Sequence, residues 1–182
     1  MEELGEACLC RIEGARSYIC SMNTAMNDAE TFMREAIKLS IDNVEQGRGG
    51  PFGAVVVKDG KIIAQGVNSV TATNDPTAHA EVMAIRNACQ ALNTFQLTGC
   101  EIFTSCEPCP MCLGAIYWAR PDKLYYANSK EDAAAISFDD LDIYEELEKP
   151  IEERKLFTRQ LLREEGLEAF RKWAESTKKV GY

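Results

Sequence analysis

The chain has 182 residues, 46% apolar and 27% charged, as is typical of one soluble globular domain with a substantial core. Its net charge of −9 argues against a nucleic-acid partner, because affinity for phosphate comes mainly from Lys and Arg. No membrane-spanning apolar run or signal-peptide pattern is present, and a chain of this length does not need its eight cysteines as a disulfide framework, so we expect a cytoplasmic protein.

Residues 1–26 show no clear periodicity, and we interpret them as a weakly structured extension without a metal-binding role. The domain is expected to begin at Asn27-Asp28, a good N-cap pair, with a helix that ends at Gly47. The predicted buried face of this helix consists of Met33, Ala36, Ile37, Ser40, Ile41 and Val44. Two strands are predicted next, Phe52 to Val57 and Lys61 to Val67, joined by the hairpin turn signal Asp59-Gly60.

A polar loop is predicted from Asn68 to Thr77, followed by a helix from Ala78 that Thr77 or Asp75 caps. This places His79 and Glu81 in the first turn of that helix. The remaining elements of this region are predicted as a strand over 101–105, a helix over 109–119 and a strand over 123–127. Alternating strands and helices after a hairpin indicate a layered α/β domain.

The C-terminal third gives weaker signals. A short helix is predicted over 133–136 and a longer one over 167–177. In the longer helix, Phe170 and Trp173 are expected to be buried. Residues 156–162 fit a strand or a helix equally well. Residues 131–153 hold ten acidic residues and one basic, whereas residues 154–182 hold eight basic and four acidic. Such opposite charges suit packing within the molecule or across a dimer, although solvated faces would also explain them.

Two clusters carry the chemistry. His79 is the only histidine of the chain, Glu81 follows two residues later, and Cys109 and Cys112 form a Cys-x-x-Cys pair. One imidazole and two thiolates are three ligands for zinc and leave a fourth tetrahedral position for water. The cysteines are spaced i, i+3 in a first helical turn, where the helix dipole favours thiolates. Glu81, near the metal but not a ligand, is suited to take a proton from that water.

Two other metal sites remain possible at this stage. Cys106 could supply a fourth ligand and close the site as a structural zinc centre. The run Cys106, Cys109, Cys112 also matches the start of a ferredoxin motif, but the fourth cysteine of that motif is replaced by Ile116. An iron–sulfur cluster would leave His79 unexplained.

His-x-Glu followed by Pro-Cys-x-x-Cys resembles the pattern of the zinc-dependent cytidine deaminase superfamily. Within it, several segments resemble small bacterial guanine deaminases: Gly50 to Ala54, Asn74 to Glu81, Ser105 to Ala115, Ile116 to Pro121, and Phe138 to Asp140. The resemblance implies a three-layer α/β/α fold over residues 27–182, with a central mixed five-stranded sheet and one Zn²⁺ per subunit. It implies hydrolytic deamination of guanine to xanthine and ammonia by a zinc-activated hydroxide, with Glu81 as the general acid/base.

The resemblance also assigns roles outside the metal motif. Asn68 is expected to hydrogen-bond the purine, and Phe52 and Trp118 are expected to form walls of the pocket. Asp140 is expected to transfer protons to the leaving amine. The resemblance further implies a homodimer with exchanged C-terminal segments, about 150–182, in which Tyr182 caps the pocket of the partner. By themselves these residues also fit plainer roles: a loop-turn Asn, two core aromatics and a solvated acid.

Other functions share part of the pattern. The metal motif also occurs in deaminases that act on guanosine, cytosine or tRNA adenosine, although the acidic charge argues against tRNA. A protein of another class, a zinc-stabilised interaction protein without catalysis, would have no use for Glu81 as a proton shuttle.

Overall fold

A computed structural model describes residues 28–138 and 140–181. The predictions for residues 1–26 and for Tyr182 lie outside the described residues. The described chain groups into two compact units, one ending at Ser129 and the other beginning at Lys130. The first unit contains a helix α1 over 28–45, β1 Gly53–Lys58, β2 Lys61–Val67, α2 Val70–Thr73, α3 Ala80–Leu92, β3 Cys100–Cys106, α4 Pro110–Ala119 and β4 Lys123–Asn128.

The four strands form one mixed sheet in the order β2-β1-β3-β4. Strand β1 is antiparallel to both β2 and β3, and β4 is parallel to β3. The β1–β2 hairpin turns at Asp59 and Gly60, which have φ values of 49° and 70°. Positive φ at both central residues matches the right-handed twist of the strands, which is why Asp-Gly predicted this hairpin correctly.

Helices cover both faces of this sheet. On one face, Ala36 of α1 packs with Val55, Val57 and Phe103. On the other face, alanines of α3 and residues of α4 pack against the opposite side of the same strands, in a cluster of Ala54, Val56, Ala64, Ala80, Ala84, Ala88, Leu97, Cys100, Ile102, Ile116 and Ala119. Because successive strand residues point to opposite faces, each strand contributes to both cores. The α/β prediction is therefore confirmed for the first unit.

The predicted buried face of α1 is partly wrong. Ile41 and Val44 are each 51% exposed, while Ser40 and Asn43 are buried. The helix is rotated so that its small residues meet the sheet, and a Cβ on Gly53 would lie 2.5 Å from the carbonyl oxygen of Ala36. This close backbone approach determines the buried side of α1, and apolar spacing cannot reveal it.

The predicted cap of α3 is also wrong. His79 itself occupies the N-cap position, and the helix proper begins at Ala80. Asp75 instead accepts hydrogen bonds from the backbone N–H and the hydroxyl of Thr77, at 2.8 and 2.7 Å, within the preceding turn. A short helix, α2, also lies inside the predicted polar loop.

The second unit contains α5 Lys130–Ala135, α6 Leu141–Glu148, a 3₁₀ turn Ile151–Glu153 and α7 Arg163–Glu175. Helix α6 was not predicted, because its acidic sequence suggested only a solvated charged run. Residues 156–162 form neither helix nor strand. The expected burial of Phe170 and Trp173 is wrong for this chain, because their exposed fractions are 71% and 51%.

The expected five-stranded sheet is corrected to four strands over residues 28–138 and 140–181. A fifth strand would need an extended segment with a backbone partner, and the undecided segment 156–162 pairs with no strand. Within the same residues, every helix is too short or too polar to cross a bilayer.

Candidate metal centre and active site

One edge of the sheet brings together Asn68 and the residues of the metal motif. Strands β2, β3 and β4 run in the same direction, so their C-terminal ends meet at this edge together with the N-terminal end of β1. Asn68 follows β2 directly, and Cys109 follows β3 by three residues. The backbone N–H of Ser69 donates to the carbonyl of Ala78 at 2.9 Å, which places Asn68 and His79 on adjoining turns of chain.

His79, Cys109 and Cys112 form a metal-ligand cluster. The ligand atoms of these three residues all lie within 4.8 Å of one another. The Nδ1 atom of His79 is 3.6 Å from Cys109 Sγ and 3.5 Å from Cys112 Sγ. Tetrahedral zinc with bonds of about 2.3 Å to sulfur and about 2.1 Å to nitrogen would set these atoms about 3.6 Å apart. The donor set therefore fits one zinc ion without rearrangement.

The helix starts favour thiolate at this cluster. Cys109 is the N-cap of α4, and Cys112 is completely buried in its first turn. Hydrogen bonding from the Cys112 thiol lowers the pKa of Cys109 to about 4. The pKa of Cys112 is raised, first because its proton serves the Cys109 thiolate and second because it is buried. Metal binding displaces thiol protons, so a cation bound here would gain two thiolate ligands.

Glu81 lies beside the cluster in the first turn of α3. Its side chain is only 5% exposed, and its Oε2 accepts from Cys112 Sγ at 3.5 Å. Burial is the main cause that raises the pKa of this carboxyl group. A buried carboxylate with raised pKa next to three ligands is suited to proton transfer rather than to closing the metal site.

Asn68 is 6% exposed and presents its side chain at the same edge. Its Oδ1 accepts from the backbone N–H groups of Gly50 and Val70, each at 3.4 Å. Its Nδ2 donates to none of the residues in the described part of the chain. This amide N–H is therefore available to an acceptor atom of a ligand.

Phe52, Trp118 and Asp140 are the other predicted site residues that the structure describes. Phe52 is half-buried and packs on the α3–α4 side of the sheet, and its carbonyl accepts from the backbone N–H of Asn68 at 3.1 Å. Trp118, on α4, is 64% exposed. Asp140 is half-buried at the start of α6 in the second unit. Together with the cap of Tyr182, these roles stay predictions.

The closed structural zinc site has no support in this geometry. Cys106 is outside the ligand cluster found in residues 28–138 and 140–181, and its sulfur lies 3.5 Å from the carbonyl oxygen of Ser129. The group beside the cluster is instead the carboxylate of Glu81.

Sequence reasoning missed Asn43, a completely buried side chain of α1 that donates to the carbonyl of Asn68. A signal existed in the polar Asn within an otherwise apolar helical face. It missed Ser105 as well, whose hydroxyl accepts from the backbone N–H of Gly53 at 3.0 Å and ties β1 to β3 beside the site.

The family pattern for the cytidine and deoxycytidylate deaminase zinc-binding region matches residues 26–128 of this chain. This stretch contains all three ligand residues and Glu81. The chain belongs to this family.

Three relatives refine the comparison. A guanine deaminase of Bacillus subtilis is 55% identical over 153 residues, which are 84% of this chain and 98% of the relative. Its crystal structure superposes over the same shares of both chains with a TM-score of 0.82. A guanine deaminase of Nitrosomonas europaea has 33% identity and a TM-score of 0.58, covering 77% of this chain and 71% of its own. A tRNA-specific adenosine deaminase of Aquifex aeolicus is 43% identical, but over only 54% of this chain and 64% of the relative.

Proposed function

We propose that this protein hydrolyses guanine to xanthine and ammonia. The observation that carries the proposal is the buried Glu81 carboxylate, 3.5 Å from one sulfur of a three-residue cluster whose spacing fits zinc. The choice of guanine is supported by the 55% identity to a guanine deaminase, which extends over 98% of that relative. The similarity to the tRNA-specific adenosine deaminase covers only 54% of this chain.

His79, Cys109 and Cys112 would hold one Zn²⁺, which when bound polarises a water molecule and lowers its pKa toward neutrality. Two thiolates and a neutral imidazole leave the bound ion formally uncharged, so the protein has to supply the proton acceptor. Glu81 is the carboxylate in position for this. Its raised pKa makes it a stronger base than an exposed carboxylate.

The proposed reaction then depends on proton transfers by residues of this chain. Glu81 takes a proton from the attacking water and delivers it to N3 of the purine as the new C–O bond forms at C2. Asp140 then relays the proton of the new C2 hydroxyl group to the amino group, the C2–N bond breaks as the C2 carbonyl forms, and ammonia leaves with xanthine as the other product. The amide N–H of Asn68 orients the purine, while Phe52 and Trp118 line the pocket around its ring.

We further propose a cytoplasmic homodimer that acts in purine catabolism and exchanges segment 150–182 between subunits. The second unit supports an exchange, because its apolar side chains Leu156, Phe157, Leu161, Leu162 and Phe170 are each more than 70% exposed. A chain that keeps such groups in water would be expected to bury them against a partner. In this proposal Tyr182 caps the pocket of the partner.

Ammonia release from a panel of substrates tests the proposed function. The zinc-loaded chain is assayed with guanine, guanosine, cytosine, adenine and a tRNA anticodon stem-loop, with the Glu81→Gln variant as the matched blank. We expect guanine to be the preferred substrate by kcat/KM. Faster deamination of the stem-loop or of cytosine would reject guanine as the substrate, and no release from any of them would reject catalysis.

A further inference from the structure

Asn43 is an unexpected residue for its place in the fold. It lies in the last turns of α1 with no solvent exposure, and the helix ends two residues later, at 45. Asn is unfavourable in helices compared with Ala or Leu, and a buried carboxamide is costly unless its donors and acceptor are all paired. Its Oδ1 accepts no hydrogen bond from any residue that the structure describes. Helix stability therefore does not explain this residue.

The amide nitrogen of Asn43 makes two hydrogen bonds that join distant parts of the chain. Nδ2 donates to the carbonyl of Gly50, in the turn after α1, and to the carbonyl of Asn68, after β2, both at 2.9 Å. Both N–H groups of the carboxamide are used, so the side chain has one orientation. That orientation leaves Oδ1 unpaired. The two hydrogen bonds that Nδ2 donates to the carbonyls therefore explain the presence of Asn43.

The same hydrogen bonds reach the side chain of Asn68. Asn43 holds the Gly50 carbonyl, and the backbone N–H of Gly50 in turn donates to Asn68 Oδ1 at 3.4 Å. Asn68 is thus held at its backbone directly and at its carboxamide through Gly50. Gly49 keeps this arrangement compact, because a Cβ at that position would lie 2.2 Å from the carbonyl oxygen of Asn68 and 3.2 Å from Asn43 Nδ2.

We propose that Asn43 is a positioning residue for substrate binding: its amide holds the Gly50 turn and the Asn68 backbone so that Asn68 Nδ2 points at the purine. The inference rests on the proposed function only for the identity of the ligand. Asn43 itself does not touch the substrate. Its effect passes through Asn68 and is absent when Asn68 has no side-chain amide.

The kinetic test is a double-mutant cycle on the zinc-loaded full chain with guanine. Asn43→Ala, Asn68→Ala and the double variant are compared with wild type, and Asn87→Ala is the matched control. Asn87 also donates from a helix to a β2 carbonyl, that of Gln65 at 2.8 Å, but it is exposed and lies away from Asn68.

Asn43→Ala is expected to lower kcat/KM about tenfold, mainly through a higher KM. This is the effect of losing one hydrogen bond, the one between Asn68 and the purine. The double variant is expected to match Asn68→Ala alone, because Asn43 acts through Asn68. Zinc content of one per chain is unchanged throughout, and Asn87→Ala behaves as wild type. If the losses from the two single variants multiply, or if Asn43→Ala is as active as Asn87→Ala, the proposal is overturned.

A second measurement does not need turnover. The side-chain amide signals of Asn68 are assigned in a ¹⁵N spectrum by their absence in Asn68→Ala, and are then followed in Asn43→Ala and in the isosteric Asn43→Asp. We expect both variants to shift these signals and Asn87→Ala to leave them in place. Unchanged signals, or failure of both Asn43 variants to fold, would rule out a positioning role. If wild type does not deaminate guanine, the proposed function fails, while this spectrum still decides the role of Asn43.

Discussion

Glu81 is the only acidic side chain that is buried within residues 28–138 and 140–181. Ionised carboxylates are rarely removed from water, because burial penalises the charged form and raises the pKa. Here the burial follows from the position of Glu81 in the first turn of α3, two residues after the ligand His79. A residue that costs stability at this point is expected to contribute to chemistry instead.

Replacing Glu81 by Gln tests whether this side chain contributes to the chemistry. The shape is kept, but the proton acceptor is lost, so kcat is expected to fall by about 10²–10⁴-fold, the range of general acid/base catalysis. Zinc binding should persist, because Glu81 contributes no ligand. Metal analysis and ammonia release measure the two effects, and Glu101→Gln, at a half-buried acid paired with Lys123, is the control. An active Glu81→Gln enzyme would remove the proposed role.

At the element scale, the metal centre depends on how closely β2 approaches α3. A Cβ at Gly66 would lie 2.2 Å from the carbonyl oxygen of Ala80 and 2.4 Å from the backbone nitrogen of Ala84. Such distances are far inside van der Waals contact, so only glycine lets the strand pack against the helix turn that follows His79.

Gly66→Ala is therefore expected to destabilise the protein by about 1–3 kcal/mol, as overpacking does, and to weaken zinc binding by moving α3. Gly114→Ala in α4 is the matched control, because a Cβ there meets no atom within 4 Å. An added methyl at this helical position should be neutral or stabilise by up to about 1 kcal/mol. Thermal unfolding and zinc competition measure both variants. Equal stability of the two would contradict the close-packing explanation.

Helix α6 is tied to the chain after the 3₁₀ turn by Lys155. Its ammonium group pairs with Asp142, and its backbone N–H donates to Glu146 Oε2 at 2.6 Å. The hydrogen bond from Lys155 lowers the pKa of Asp142 below its usual 3.8. The pKa of Glu146 is lowered below its usual 4.5, first by Lys149 and then by Lys155.

The lowered pKa values of Asp142 and Glu146 predict how the stability of this region changes with pH. A carboxyl group with a lowered pKa in the folded state contributes its stability fully above the unfolded-state pKa and loses it as the pH falls through the folded-state value. We expect the contacts of Lys155 with α6 to weaken on acidification below about pH 4, seen as a change of the Lys155 amide signal in an NMR titration. Lys155→Met should bring the titration of Asp142 back toward its usual range, whereas Lys149→Met should affect mainly Glu146. If Asp142 titrates in Lys155→Met as it does in wild type, the proposed contact between Lys155 and α6 is refuted.

At the scale of the whole molecule, the second unit is unusual in the apolar surface that it leaves exposed. Phe170 and Trp173 lie on α7 together with charged residues, and neither is buried within the chain. The predicted burial of these two rings is therefore wrong for the single chain. Under the proposed exchange of segment 150–182, a second copy would cover them.

Trp173→Glu is expected to weaken the proposed dimer by about 2 kcal/mol or more, since large aromatic side chains dominate interfaces. Light scattering over a concentration series measures the dissociation. Ile41→Glu is a suitable control, because Ile41 is equally 51% exposed but lies on α1 in the first unit. A wild-type chain that remains monomeric would refute the exchange.

Deletion of Tyr182 tests the proposed cap separately from the dimer. We expect turnover of guanine to fall while the thermal unfolding temperature and the dimer are retained, because one terminal residue adds little to folding. The same measurements on a chain with Tyr182→Phe distinguish the ring from its hydroxyl. An unchanged rate after the deletion would exclude the cap.

The local features of this protein follow from its sequence alone. Asp59-Gly60 predicts its turn because positive φ is a property of those residues, and period-2 and period-3.6 patterns predict the strands and helices around the site. The metal motif is similarly local: His79 with Glu81, and Cys109 with Cys112, are each brought together by one helical turn. The family and its chemistry could therefore be recognised without a structure.

Features that depend on contacts between distant segments follow from the tertiary structure. The side of α1 that is buried follows from the approach of Gly53, and the link from Asn43 to Asn68 joins residues 25 positions apart. The meeting of His79 with the two cysteines follows from β2 and β3, which run in the same direction and end at the same edge of the sheet. Spacing along a chain gives the preferences of each segment, whereas contacts between segments depend on packing, and packing is a property of the whole fold.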